Sequence, residues 1–224
     1  MNKVFKVMIA MAVALSFVTC AQAKIVRCKG PVKEQSFNEL KDFNSIVVNG
    51  SADIFLIQEK YFDVCVRANE EVFKYLDFKV VNGVLYIETK DRANIIAETY
   101  DITISMPNID ALTVNGAGDV KVMDGIVCEG DLSVKVNGAG DLSLGEVSVN
   151  AMNVTVNGAG DVDIDKANAK TIAVTVNGAG SVSVSGKADV AFFKVSGAGV
   201  VDARGLEAGS IETKRAGVAI IRLP

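Results

Sequence analysis

The stretch "VNGAGDV" at residues 114–120 does not stand alone. It returns as "VNGAGDL" (136–142), "VNGAGDV" (156–162) and "VNGAGSV" (176–182), with a worn copy, "VSGAGVV", at 195–201. The motif asparagines 115, 137, 157 and 177, with Ser196 next in line, are spaced by 22, 20, 20 and 19 residues. Aligning "RAGVAI" (215–220) on "GAGVVD" (197–202) sets a last step of 18. A period near twenty residues marks a solenoid or array, in which each unit buries its apolar face only against its neighbours.

Within each unit the apolar residues alternate. Leu112/Val114, Val134/Val136, Val154/Val156, Val174/Val176 and Phe193/Val195 precede the corner. Val120/Val122, Leu142/Leu144, Val162/Ile164, Val182/Val184 and Val201/Ala203 follow it. Period two with valine and isoleucine enrichment gives strands buried on one face. The unit therefore reads strand, Gly-Ala-Gly corner, strand, looser turn. An antiparallel meander would satisfy the alternation, but it gives no reason for every second turn to match while the others vary. In a parallel β-helix equivalent residues stack about 4.8 Å apart, and the apolar columns merge into one core. The expected fold is all-β: a parallel solenoid with coils near twenty residues.

The corner can be read residue by residue. Gly116 and Gly118, Gly138 and Gly140, Gly158 and Gly160, and Gly178 and Gly180 permit positive φ or close backbone approach. The alanines between them would form a small column where a larger side chain does not fit. Asn115, Asn137, Asn157 and Asn177 are placed for an amide ladder, each bonding to the next. Phosphate-binding glycine loops need a following helix, and every copy here runs into a strand. Asp119, Asp141 and Asp161 close the motif in three consecutive units. Stacked, such charges repel by about 1 kcal/mol per pair in water. Two resolutions stand open: a bound Ca²⁺ with carboxylate ligands, or hydrogen bonds that each Asp accepts from amides of its own turn.

The region before 111 is less regular. "FNSIVVNGSADIFLIQ" (43–58) holds a degenerate motif at Asn49–Asp53, "YFDVCVRA" (61–68) reads as a strand, and "NEEVFKYL" (69–76) is a short-helix candidate. "FKVVNGVLYIETK" (78–90) reads as a hairpin turning at Asn82-Gly83. The expectation is of broader coils with excursions that cover one end of the stack, since an open end would expose unpaired strand edges. Residues 1–23 read as a secretory signal: Lys3 and Lys6, then an apolar run too short to span a bilayer, then "AQA" at 21–23. Cys20 as a lipid-carrying cysteine is the alternative. The resulting division is signal 1–23, N-terminal segment 24–36, and one domain over 37–224, irregular to 110 and regular from 111. No transmembrane segment is expected in 24–224.

Composition narrows the chemistry. The chain has no histidine, which removes histidine-dependent catalytic triads and histidine-ligated metals. Without Lys3 and Lys6 the 23 basic residues become 21 against 27 acidic ones, a net of −6. That balance argues against nucleic acid as a partner. From 111 onward Phe192 and Phe193 are the only aromatics, so stacking platforms for sugars are scarce. Phe192-Phe193 and Val200-Val201 each break the alternation, which a local parity slip in the core would explain. Lys214, Arg215 and Arg204 give the last coil a basic tint, expected of a solvated end cap. Cys28, Cys65 and Cys128 match no metal spacing. One disulfide of unreadable pairing and three free thiols both remain open.

The order of segments resembles a known family. "FNSIVVNGSADIFLIQ", a strand, a short helix, "NGVLYIETK", "ITISMP" and then "LTVNGAGDV" are similar to the GIN-domain family, also called the auto-transporter adhesin head domain, common in Bacteroidota. The resemblance spans about residues 37–217. It implies a right-handed parallel β-helix and a location outside the cytoplasm, periplasmic or on the cell surface. No catalytic residues come with it, and no C-terminal translocation barrel is expected within these 224 residues. The function expected is a non-enzymatic structural or adhesive module of the cell envelope, without cofactor, facing a cell-surface glycan or protein. The alternatives are a glycan-binding or glycan-cleaving β-helix, and a solenoid stabilised by Ca²⁺.

Overall fold

The computed structural model describes residues 24–224. The signal expected at 1–23, Cys20 included, lies outside the described residues. Among the described residues no helix is long and apolar enough to cross a membrane.

The chain winds into a β-solenoid of about six turns. In the regular coils each strand turns alternate side chains inward and pairs in parallel with its equivalent one coil later: Val114 with Val136, Val136 with Val156, Val156 with Val176. Three strand columns surround the core. The first precedes the corner and the second follows it, with Val120, Leu142, Val162, Val182 and Val201 in register. The third stacks Ile126, Val147 and Ala167. A meander would pair successive strands antiparallel, so this register rules it out for the regular coils.

The interior is filled by side chains. Leu112, Val134, Val154, Val174 and Phe193 lie one above another, each 1 % exposed. Full burial of such a side chain contributes about 1.5–3 kcal/mol. Volume is conserved across neighbouring columns: where Val174 gives way to Phe193, Ile172 gives way to Ala191. Phe192 simply points outward, opposite Ala173. The parity slip expected at Phe192-Phe193 is therefore not there. Register shifts fall instead at Ile164/Ala167 and Ser183/Ser185, in the bend leading to the third column.

The last coil also departs from expectation. Gly197 pairs with Gly217 and Val200 with Ile220, so the step is 20 residues rather than 18. The reason is steric: a Cβ at this place would strike the Gly197 carbonyl, and Gly217, at φ +88°, is the residue that fits. Thr213 and Arg215 replace Phe193 and Val195 in the core columns, which ends the apolar interior. Arg215 donates to the Ile221 carbonyl, and Arg204 clamps Asp202 through Nε at 2.9 Å and Nη2 at 2.7 Å.

At the other end, stacking order and chain order part company. The strand Ser45–Gly50 sits directly beneath Ala111–Gly116, and Val84–Thr89 sits beneath Ser45–Gly50. The chain builds a middle coil, descends to build the one below, then climbs past both to begin the regular stack. The broader coils with excursions expected before 111 take this out-of-order form. What closes the end is antiparallel pairing: Asp63–Asn69 against Tyr100–Met106, Val32–Ser36 against Asp63–Asn69, and Leu76–Val81 against Val84–Thr89. The last pair turns at Asn82 (φ 51°) and Gly83 (φ 76°), the left-handed pair a two-residue hairpin prefers. The helix candidate at 69–76 is a short 3₁₀ turn, Glu70–Lys74. Asn69, 4 % exposed, ties this region together. Its Nδ2 donates to the Gly30 carbonyl at 2.9 Å, and its Oδ1 accepts from the amides of Glu98 and Thr99, both at 3.0 Å.

Candidate functional site

The repeated corner is the one place where the sequence-predicted residues gather, and they gather as two ladders. Both depend on backbones passing very close together. Gly116 has φ +151° and Gly138 φ +157°, and a Cβ on either would overlap the carbonyl oxygen of the glycine one coil below. The same holds for Gly158 and Gly178. The second glycines, Gly118, Gly140, Gly160 and Gly180, are buried, and a Cβ there meets the backbone of the coil beneath. Ala117, Ala139, Ala159, Ala179 and Ala198 are exposed. The expected tight alanine column is thus a surface column, and the steric restriction belongs to its glycine neighbours. Continuing the period-two alternation through the corner would have placed the alanines outside.

The asparagines form the first ladder. Asn137 Nδ2 donates to Asn115 Oδ1 at 2.7 Å, Asn157 to Asn137 at 2.8 Å, and Asn177 to Asn157 at 2.9 Å. Asn115 donates to Asn49 of the degenerate motif at 2.7 Å, and Asn49 to Glu88 Oε1 at 2.8 Å. Every amide points the same way, and a carboxylate receives the last proton. Charge-assisted hydrogen bonds of this kind are about twice as strong as neutral ones. Glu88 also accepts from Lys79 at 2.7 Å. That bond is the main cause that holds the Glu88 carboxyl below its ordinary range and raises the Lys79 ammonium.

The aspartates form the second. Asp119 Oδ1 accepts the Asp141 amide at 2.9 Å, and Asp141 Oδ1 accepts the Asp161 amide at 3.1 Å. Asp161 Oδ1 accepts both the amide and the hydroxyl of Ser181, at 3.0 and 2.6 Å. Asp53 supports Asp119 in the same manner. Each carboxylate thus accepts from the neighbouring coil, an arrangement that neither the Ca²⁺ reading nor bonds within its own turn described. Among the described residues no group of three or more His, Cys, Asp or Glu is placed to hold a metal ion.

Each ladder borders an open cleft. Beside the aspartates a groove of about 360 Å³ is lined by Phe55, Lys121, Asp141 and Asp163, among others. Burial there, with Asp165, Asp161 and Asp141 nearby, raises the Asp163 carboxyl. At the foot of the asparagines a larger cleft of about 790 Å³ lies between Lys79, Glu88 and the Thr89–Asn94 segment. It joins three regions of chain far apart in sequence: 49–51, the 79–94 hairpin and turn, and 116–117. Motif reading therefore missed Lys79, Glu88 and Arg92. A register argument extending Asn49 to its partner one coil down would have found Glu88. Cys28, Cys65 and Cys128 are free thiols, and burial pushes Cys28 and Cys65 up.

Residues 42–223 match the family described as "Putative auto-transporter adhesin, head GIN domain". The chain belongs to this GIN-domain family. Among solved structures this GIN domain is similar to a "putative adhesin" from Bacteroides fragilis NCTC 9343, at 17% identity and TM-score 0.74 over 89% of this chain and 100% of that one. It is also similar to a "putative lipid binding protein" from Parabacteroides distasonis ATCC 8503, at 18% identity and TM-score 0.75 over 90% and 100%. A "putative adhesin" from the same Parabacteroides strain matches at 16% identity and TM-score 0.68, over 90% and 100%. At these identities the likeness is one of fold. No match to the GIN domain was found among curated proteins.

Proposed function

We propose that this GIN domain is an exported, non-catalytic module that adheres to a glycan or protein of the cell surface through the outside of its solenoid. The observation that carries the reading is the corner face. Parallel backbone pairing and two side-chain ladders fix every rung of it before any partner arrives. A preorganised surface loses little conformational freedom on binding, which suits adhesion by many weak contacts. Family membership and the adhesin neighbours support the same reading, and the signal-like 1–23 segment supports export. The lipid-binding neighbour suggests no interior site here, because the core columns already fill the inside of the stack. The test is binding of fluorescent purified protein to whole cells and to a glycan array. Saturable binding without release of sugar is expected, and sustained turnover of any glycan would overturn the non-catalytic reading.

A further inference from the structure

The cleft at the foot of the asparagine ladder has the makings of a ligand site. Its side toward the next coil is backbone and methyl, from Gly116 and Ala117. Its charges are unequal. Glu88 is fully engaged, accepting from Asn49 and from Lys79. Arg92, at the rim, forms no ion pair with any described carboxylate. One cation of the cleft is therefore free of any direct ion pair among the described residues, although its charge still helps hold Glu88 ionised.

The backbone that carries it is unusual. Asp91 and Arg92 have φ values of 55° and 52°, two consecutive left-handed residues that both bear side chains. Such a conformation persists only where its surroundings over-determine it. Here Thr89 Oγ1 donates across the turn to the Ala93 carbonyl at 2.7 Å, and Lys90 Nζ donates to the Lys74 carbonyl at 3.0 Å. Ser51 Oγ secures the next strand through the Ile95 carbonyl at 2.9 Å. The turn is thereby braced on both sides, with Arg92 at its tip.

We infer that this cleft binds a carboxylate-bearing sugar, a uronic acid unit of an acidic glycan. The guanidinium fork of Arg92 matches the two oxygens of a carboxylate. The Asn94 side-chain amide and the remaining Asn49 Nδ2–H are hydroxyl partners, and the Gly116–Ala117 wall takes the C–H face of the ring. A doubly charged phosphate is a poorer match, because the repulsion from Glu88, which a uronate meets with a single charge, is about doubled by its second charge. The glycan class rests on the adhesive reading; the anion site rests on the cleft alone.

The test is calorimetric titration of the purified protein with a glucuronic-acid-terminated disaccharide, its carboxyl-reduced counterpart and inorganic phosphate. The acidic disaccharide is expected to bind at least about tenfold more tightly than either comparison. Arg92→Gln is expected to lose about tenfold or more in affinity with an unchanged melting temperature, and Arg92→Lys to recover part of it. Equal affinity for the reduced sugar, tighter binding of phosphate, no binding of the acidic disaccharide, or undiminished binding by Arg92→Gln would each overturn the assignment. Whole-cell binding separates the two readings. Cells bound equally by the parent protein and Arg92→Gln leave adhesion standing and remove the cleft. Arg92-dependent titration without cell binding keeps the cleft and removes adhesion.

Discussion

In the coils from 111 onward the partner of a residue is its own equivalent: Val156 lies against Val176, Asn157 against Asn177. At the lower end the partners are unlike. Phe43 packs on Phe62 with ring centroids 5.0 Å apart, Phe37 on Phe78 at 5.4 Å, and one buried asparagine holds three backbone groups. The regular coils spread their stability over many modest, interchangeable contacts and share one point of weakness, the corner. The lower end concentrates its stability in a few contacts that nothing else duplicates. A change at the corner therefore tests the rule of the repeat, and a change at the lower end tests a single anchor.

The largest effect is expected where backbones approach most closely. Gly138→Ala would drive a methyl into the Gly116 carbonyl and is expected to destabilise by about 3 kcal/mol or more. Ala139→Ser, one place along and exposed, should stay within about 0.5 kcal/mol. Urea denaturation of the two variants reads this contrast directly, and similar midpoints would break it. Next comes Asn69→Ala. It strands the part-buried amides of Glu98 and Thr99 and the Gly30 carbonyl, and a loss of about 2 kcal/mol is expected for three groups losing their partner at once. A smaller loss than that of Asn137→Ala would mean the lower end is not built on single anchors.

Within the ladder, Asn137→Ala interrupts the chain of amides and should cost about 1–2 kcal/mol. Asn177→Ala, at the exposed end, should cost roughly half of that. The charged foot adds a pH signature. The folded Glu88 carboxyl titrates lower than an unfolded one, so its contribution is complete above the unfolded value, near 4.3, and disappears as pH falls through the folded value. Glu88→Gln should remove that part of the acid sensitivity in melting curves taken between about pH 7 and 3. The smallest effect is expected from EGTA. Since the aspartates are engaged by the amides of the next coil, the melting temperature should be unaltered, and a fall would revive a Ca²⁺-stabilised solenoid.

How much of this was legible follows the same division. The repeat announced itself because each valine of the core columns needs a valine-like neighbour above it, and that requirement is written at a fixed interval. The ladder partners Asn115 to Asn177 followed from the same interval. The lower end was not legible in this way. Asn49 meets Asn115 across 66 residues, and no local pattern announces that the chain will build 84–106 beneath 45–58 before resuming above it. The Arg92 cleft was hidden for that reason: its walls exist only once the out-of-order coils have stacked. The 18-residue last step was an error of motif matching, since Gly217 fits the crowded first-glycine place and Arg215 does not.

The constant register between Glu146–Gly158 and Asp161–Gly178 makes molecular length a quantity that can be edited. Ala151 pairs with Thr171 and Asn157 with Asn177, so excising residues 151–170 would join Asn150 to Thr171 and leave each surviving partner facing its counterpart. Asn177 would then rest on Asn137, and Val176 on Val136. The solenoid would shorten by one rung of about 4.8 Å, with both ends unaltered. Removing ten residues instead would leave no such match, which makes one whole coil the smallest unit by which a lineage of such proteins can lengthen or shorten its reach.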